Sequence, residues 1–539
     1  MENREIADRL DAMASLLELA EANPYSARAY RRAADTIRAT PLDIAELVRG
    51  GDVRRLRGIG PGIEARLREL VETGQIAELE ELERELAPDL VGLGRYLGLS
   101  AKRCVELARS LGVRTAVELR EAAADGRLRA VPGVGAKTEA RLLEALAREG
   151  EPRPRQGLLL NRAMELIHGV AEALGGTVAG DVRRWCDAVE HLSVVCVAPA
   201  PGPVLERFTA LPQIVTLLRR DERRAVGLTI EGVPLELVVV EPGRFGAELV
   251  RATGSAAYVA ALEPLPDAAD EVGVYEALGV PWCPPELRDE PFAGAPPALV
   301  EVEQIRGDLH CHSTWSDGRA SIEEMARAAA LRGYEYLAIC DHTPAVGAVQ
   351  GLTPDDVRRQ GEEIAAVNEL LAPFRVLRGI ECDILPDGGL DLPDDVLAEL
   401  DWVQASVHGG QRMPRREMTE RVERALRNPH VRCLSHPTGR YINRRPENAL
   451  DLDRVFEVAL EHSVALEVNG LPLRLDLSGT HVREALAAGV QIACSTDAHS
   501  IGGLSNMTLS VATARRGWAT AADVMNTRPW TQIEPRRRA

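Results

Sequence analysis

From Gly307 onward, short β-branched runs alternate with amphipathic stretches, and nearly every run ends in histidine, aspartate or glutamate. The strand-like runs are Tyr336–Cys340, Val376–Ile380, Trp402–Val407, Val431–Ser435, Val464–Val468 and Val490–Cys494, with helix-like stretches such as Ser321–Leu331 and Pro354–Leu371 between them. Such alternation confines the segment to parallel βα units. About seven strands in about 230 residues suit a closed barrel better than an open sheet.

The residues at the run ends are chemically selective. Nine of the eleven histidines lie beyond residue 300. His310 and His312 flank Cys311 at the end of the first run; side chains alternate along a strand, so the two imidazoles share a side and Cys311 points away. Asp317 follows in a Ser-Asp-Gly turn. Later runs deliver His342, Glu381, His408, His436, Asp497 and His499. One metal takes three or four protein ligands, so these nine positions fit two or three divalent ions sharing a bridging carboxylate. Imidazole and carboxylate without thiolate suit manganese, zinc or iron(II). Glu467 and Asn469 end the sixth run as candidate supports. Clustered divalent ions favour hydrolysis of a phosphate ester. Arg440, in Ser-His-Pro-Thr-Gly-Arg, is a candidate to grip a phosphate oxygen.

Upstream, residues 1–150 read as helical throughout, with Ile6, Leu10, Met13 and Leu17 forming an apolar stripe. Two glycine turns share one form, Gly58-Ile59-Gly60-Pro61-Gly62 and Gly133-Val134-Gly135-Ala136-Lys137, each followed by an amphipathic helix. Glycines let backbone N–H groups approach a phosphate at a helix N-terminus. This is the helix–hairpin–helix pattern of DNA backbone binding, with a degenerate third copy at residues 96–102. From 156 to about 290 the pattern is mixed: a helix at Arg162–Leu174 and strands at Leu192–Val197 and Leu235–Val240.

Acidic residues outnumber basic ones, 82 to 64, so a DNA partner must be held by local donors rather than by overall charge. Nine scattered cysteines without paired spacing read as reduced thiols. No apolar run approaches the ~18 residues of a membrane span. The expectation is a soluble cytoplasmic protein, nucleoid-associated when bound to DNA.

The motifs Asp-Leu-His-Cys-His-Ser-Thr-Trp-Ser-Asp-Gly, Asp-His-Thr, Ser-His-Pro-Thr-Gly-Arg and Asp-Ala-His resemble those of the PHP (polymerase and histidinol phosphatase) domain, with all nine ligand positions present. The whole chain resembles bacterial family X DNA polymerases. The resemblance implies a helical lyase-type domain (1–80), a fingers-like region with the second hairpin (81–150), a nucleotidyltransferase-like α/β palm (156–240), a reduced thumb (241–290) and a PHP domain with a distorted (βα)7 barrel (303–539). It further implies a manganese-dependent 3′–5′ exonuclease acting on gapped DNA, single strands or 3′ ends.

Three departures stand out. The metal-binding aspartates of the family palm fall on His191, Ser193 and Glu236, leaving one carboxylate where three are wanted. Asp181, Asp187 and Glu190 lie nearby and read as solvated loop residues. The thumb motif Arg251-Ala252-Thr253-Gly254-Ser255 lacks the aromatic pair, and Glu64–Arg68 offers only arginine where related lyases use lysine. DNA end processing with polymerase activity lost is the favoured expectation. The alternatives are an active polymerase with a PHP exonuclease, a phosphatase of a small monoester such as histidinol phosphate, and a non-catalytic DNA-binding scaffold.

Overall fold

The computed structural model describes most of residues 6–79, short stretches between 110 and 131, and residues 157–533 apart from 348. The chain divides into two compact units. One comprises Met1–Leu158, Leu166–Thr177 and Glu190–Pro242; the other comprises Leu159–Glu165, Val178–Val189 and Gly243–Ala539.

In the first unit, helices span Pro24–Ala39, Ile44–Arg49 and Pro61–Thr73. Ile6, Leu10, Met13 and Leu17 are buried with Ile37, Ile63, Leu67 and Leu70 in one core, as the stripe predicts. The helix Pro61–Thr73 opens on Gly60 with proline in its first turn and stops at Gly74, whose φ of +80° suits glycine. Further along, strands Leu192–Val197, Pro234–Val240, Arg224–Thr229 and Ile214–Arg220 lie side by side in that order, the first pair parallel and the others antiparallel. The mixed pattern is therefore an α/β layer.

In the second unit, helices Phe245–Thr253, Ala256–Leu262 and Glu271–Leu278 pack around Val250, Tyr258, Val274 and Tyr275. A buried charge cluster fastens them: Arg183 is 2.7 Å from Glu271, which Arg288 also contacts at 2.5 Å. Burial alone would raise the Glu271 carboxyl, but hydrogen bonds from Arg183 and Arg288 outweigh it and hold it below the usual range.

Seven strands follow: β1 (Gly307–Cys311), β2 (Tyr336–Ile339), β3 (Arg375–Asp383), β4 (Trp402–Ser406), β5 (Cys433–Leu434), β6 (Ala465–Asn469) and β7 (Ile492–Ser495). They lie in chain order with every neighbouring pair parallel. A bridge between Cys311 and Ala498, with the His312 N–H donating to the Ala498 carbonyl at 2.9 Å, brings the last strand beside the first. The sheet is nearly closed into a barrel. Helices α1 (Ile322–Leu331), α2 (Pro354–Leu371), α3 (Arg415–Leu426), α4 (Leu452–His462), α5 (Gly479–Ala487) and α6 (Met507–Arg516) alternate with strands. Capping boxes start α1 at Ser321 with Glu324 and α2 at Thr353 with Asp356.

Two strand readings need correction. β3 runs on to Asp383 because Gly379–Asp383 pairs with Trp402–Ser406 after its first half has paired with β2. β5 is only two residues long, shorter than the apolar run Val431–Ser435.

The barrel interior is graded along its axis. Leu309, Leu377, Trp402, Cys433, Ala465 and Ala493 form an apolar floor with Trp530 beneath. Alternation then brings Gln404, Ser435, Glu467 and Ser495 inward, and next Ser406, Asn469 and Asp497. From β4 to β7 the inward side chains thus turn polar toward the C-terminal end of the barrel, where barrels of this kind place their sites.

Candidate metal centre

The polar ends converge on Glu381, which β3 carries into the mouth of the barrel, fully buried. One carboxylate oxygen lies 2.9 Å from His342 Nδ1, 3.5 Å from His310 Nε2 and 3.8 Å from His312 Nε2. The other lies 2.8 Å from His436 Nε2 and 3.5 Å from His408 Nε2. Five imidazoles therefore divide between its two oxygens, the arrangement of a bridging ligand. Asp497 Oδ1 is 3.1 Å from His312 Nε2, which is 3.2 Å from His310 Nε2. Asp317 reaches His499 Nε2 at 3.2 Å and His342 Nε2 at 3.7 Å. Three overlapping groups result: His310, His312 and Asp497; His312, Asp317, His342 and His499; and His342, Glu381 and His408, each with ligand atoms within 4.8 Å of one another.

The donor set fits divalent cations. Buried Nδ1 atoms of His312, His342 and His436 make no hydrogen bond among the described residues. For His342 this holds despite the 2.9 Å approach to Glu381, which lacks hydrogen-bond alignment. Burial alone would raise Glu381 and Asp497, but the positive imidazoles around them hold both well below the usual carboxylate range. Burial, with His499 and His342 beside it, lowers His312 to about 3; burial and the Arg474 charge lower His436. Burial opposes protonation of His342 too, but the Glu381 charge lifts it to about 10. The pocket holds ionised carboxylates that need positive partners, whether protons or metal ions. His436 and Asp497 also hold left-handed backbone, φ +27° and +53°, strain that non-glycine residues show mainly at sites.

A supporting layer fixes these side chains. Glu467 accepts from His310 Nδ1 at 2.6 Å and from the His436 backbone N–H at 2.6 Å; Asn469 donates to Asp497 at 3.0 Å. Both supports expected from the sixth run are therefore in place. Asp383, which sequence reasoning missed, accepts from the His408 backbone N–H and lies 3.1 Å from its Nδ1. Asp341, also missed, accepts from Ser313, Ser316 and Gln360 and so holds the turn that carries Asp317. Its place beside His342 was the available signal.

Arg440 does not join the cluster. Its Nε donates to the Arg474 carbonyl at 2.9 Å, and its Nη2 to the Leu475 carbonyl and, at 2.6 Å, to Asp187. The guanidinium that does reach in is that of Arg474, 3.6 Å from Asp497 and buried. Its signal was faint, since Arg474 follows β6 within an apolar loop.

At the palm positions, Ser193 is buried and lies in parallel register with Glu236 on the neighbouring strand; His191 precedes the Ser193 strand, Leu192–Val197, by one residue. The single carboxylate, Glu236, is already 3.3 Å from Arg224. Asp181 and Asp187 are ion-paired, with Arg184 and Arg440 respectively, not solvated as expected. In the first hairpin, a Cβ on Gly60 or Gly62 would meet nothing within 4 Å among the described residues. Arg66 is 2.5 Å from Glu78. Gly58, Gly133, Gly135 and Lys137 lie outside the described residues.

Comparison with known proteins agrees with this geometry. The helix-hairpin-helix domain matches residues 1–76, a SAM-like helix-hairpin-helix tandem matches 97–148, and the PHP domain matches 308–468. Barrel and donor cluster together define a PHP-type hydrolase domain joined to helix–hairpin–helix modules. The chain is 35% identical over 569 residues, 99% of each protein, to the DNA polymerase/3′-5′ exonuclease PolX of Bacillus subtilis. It belongs to the bacterial family X DNA polymerases. The chain is also 32% identical to a probable phosphatase of Acetivibrio thermocellus over 203 residues, 36% of this chain and 78% of that one. A probable phosphatase of Photobacterium profundum matches at 30% over 214 residues, 38% and 82% of the two chains. Among the described residues no helix is long and apolar enough to cross a membrane.

Proposed function

We propose that the barrel is a 3′–5′ DNA exonuclease that uses two or three divalent ions, manganese first, and that the helix–hairpin–helix regions hold the DNA backbone. The observation that carries this reading is the division of five imidazoles between the two oxygens of buried Glu381. When bound, such ions lower the pKa of water and neutralise charge on a phosphoryl group. The chain's own residues do the rest. Glu467, on His310 Nδ1, leaves Nε2 facing the cluster, and Asp383 orients His408 in the same way. Asn469 fixes Asp497, and Arg474 presents a guanidinium to a phosphate oxygen beside it. The palm, with His191, Ser193 and an arginine-paired Glu236, serves as scaffold rather than polymerase.

The test is purified protein with Mn²⁺ on 5′-labelled single-stranded and gapped DNA. Stepwise shortening from the 3′ end is expected. Intact DNA at confirmed metal occupancy would refute the reading. Likeness to the two probable phosphatases supports a second one, hydrolysis of a small phosphomonoester; turnover of histidinol phosphate far above that of DNA would favour it.

A further inference from the structure

The segment Val178–Val189 belongs to the same compact unit as the barrel, although the resemblance assigns it to the palm. Two arginines of the barrel domain fasten it. Arg516, at the end of α6, donates to the Arg184 carbonyl at 2.9 Å and contacts Cys186 Sγ at 3.0 Å. Arg440 donates to Asp187 at 2.6 Å, and both side chains are largely buried. The second Asp187 oxygen is buried without a partner among the described residues, so this carboxylate depends on Arg440.

Arg440 stands between two loops of the site. Its own loop, which begins at Ser435, carries His436. Its guanidinium grips the carbonyls of Arg474 and Leu475 on the loop after β6. Leu475 holds a φ of +41°, a left-handed conformation that needs external support in a branched residue. Beside it, Asp476 accepts from the Thr438 N–H at 3.1 Å, a second tie between the loops. The Arg474 side chain lies over the Tyr441 ring at 4.6 Å and ends 3.6 Å from Asp497.

We propose that Asp187 and Arg440 are a positioning pair that holds Arg474 against Asp497, so that a segment outside the barrel sets the phosphate-binding arginine within it. Asp187 fixes the Arg440 guanidinium, and Arg440 fixes the backbone from which Arg474 projects. The inference rests on the hydrolase reading of that site. It gives the retained segment a task that needs no nucleotide.

The test uses the full chain loaded with manganese, bis(p-nitrophenyl) phosphate as diester probe and inorganic phosphate as ligand. Asp187→Asn is expected to raise KM for the diester and Kd for phosphate about tenfold or more, the scale of one charge-assisted hydrogen bond. The kcat and the manganese content should stay near wild type. Limited trypsin digestion should open a cut after Arg474, which is protected by burial in the wild type. Arg440→Lys keeps the charge but cannot reach carboxylate and both carbonyls at once, so it should show the same pattern and decides the matter if Asp187→Asn does not fold. The double variant should be no worse than either single one. A folded Asp187→Asn protein with unchanged phosphate affinity and a protected Arg474 bond would overturn the pair. If wild-type protein binds phosphate yet cleaves no diester, the exonuclease reading falls, while phosphate affinity and the digestion pattern still decide the pair.

Discussion

At the residue scale, Glu381 is the side chain on which the site depends. It is fully buried, and both its oxygens face imidazoles. Glu381→Gln keeps the shape but removes the charge and one acceptor. Metal analysis should show at least one ion lost per chain, and hydrolysis should fall by at least about a hundredfold, since each 1.36 kcal/mol of lost charge stabilisation is about tenfold in rate. Retention of all metal and of near wild-type rate would mean that Glu381 is a buried structural acid. The nine candidate ligands were legible in the sequence because strand alternation and strand ends fix where side chains go. Asp383 and Arg474 were not, since their importance lies in contacts with residues 25 and 23 positions away on other loops. Arg440 misled for the opposite reason: sequence places it four residues from His436, but its partner Asp187 lies 253 residues earlier.

At the element scale, the barrel shows how a strand changes partners and carries a ligand with it. β3 pairs first with β2 and then, from Gly379, with β4. At the changeover a Cβ on Gly379 would come within 2.5 Å of the Ile339 carbonyl and 2.7 Å of Cys340 Sγ. Backbone cannot give way there, so glycine is required by close approach rather than by dihedral angle. Gly379→Ala should destabilise the protein by about 1–3 kcal/mol in denaturant unfolding, the usual cost of overpacking. It should also displace Glu381, two residues on, and lower metal content. Unchanged stability would show that the strands are free to part. Element type and order followed from periodicity. Strand ends did not, because β3 continues and β5 stops according to pairing partners that a local pattern does not contain.

At the scale of the whole molecule, the chain joins a barrel rich in metal-ligand residues to a palm poor in them. Nucleotidyl transfer by two metals needs hard carboxylates beside the triphosphate. The strand register places Ser193 directly beside Glu236, and Glu236 is turned to Arg224. Of the nearby acids, Asp181 and Asp187 offer no replacement, since they are bound to arginines in the other compact unit. Arg183 and Arg184 are likewise committed, to Glu271 and to Asp289. Loss of even one ligand charge worth several kcal/mol slows transfer by orders of magnitude, so primer extension should sit at background. The measurement is extension of a primed template with all four dNTPs and Mg²⁺ or Mn²⁺, made in a His310→Ala, His312→Ala variant so that exonuclease cannot mask synthesis. Template-directed extension by that variant would show a working palm and return the chain to the active-polymerase alternative. No extension there, with 3′ shortening by the wild-type protein, would assign the chemistry to the barrel and leave Val178–Val189 as the segment that brings Asp187 to it.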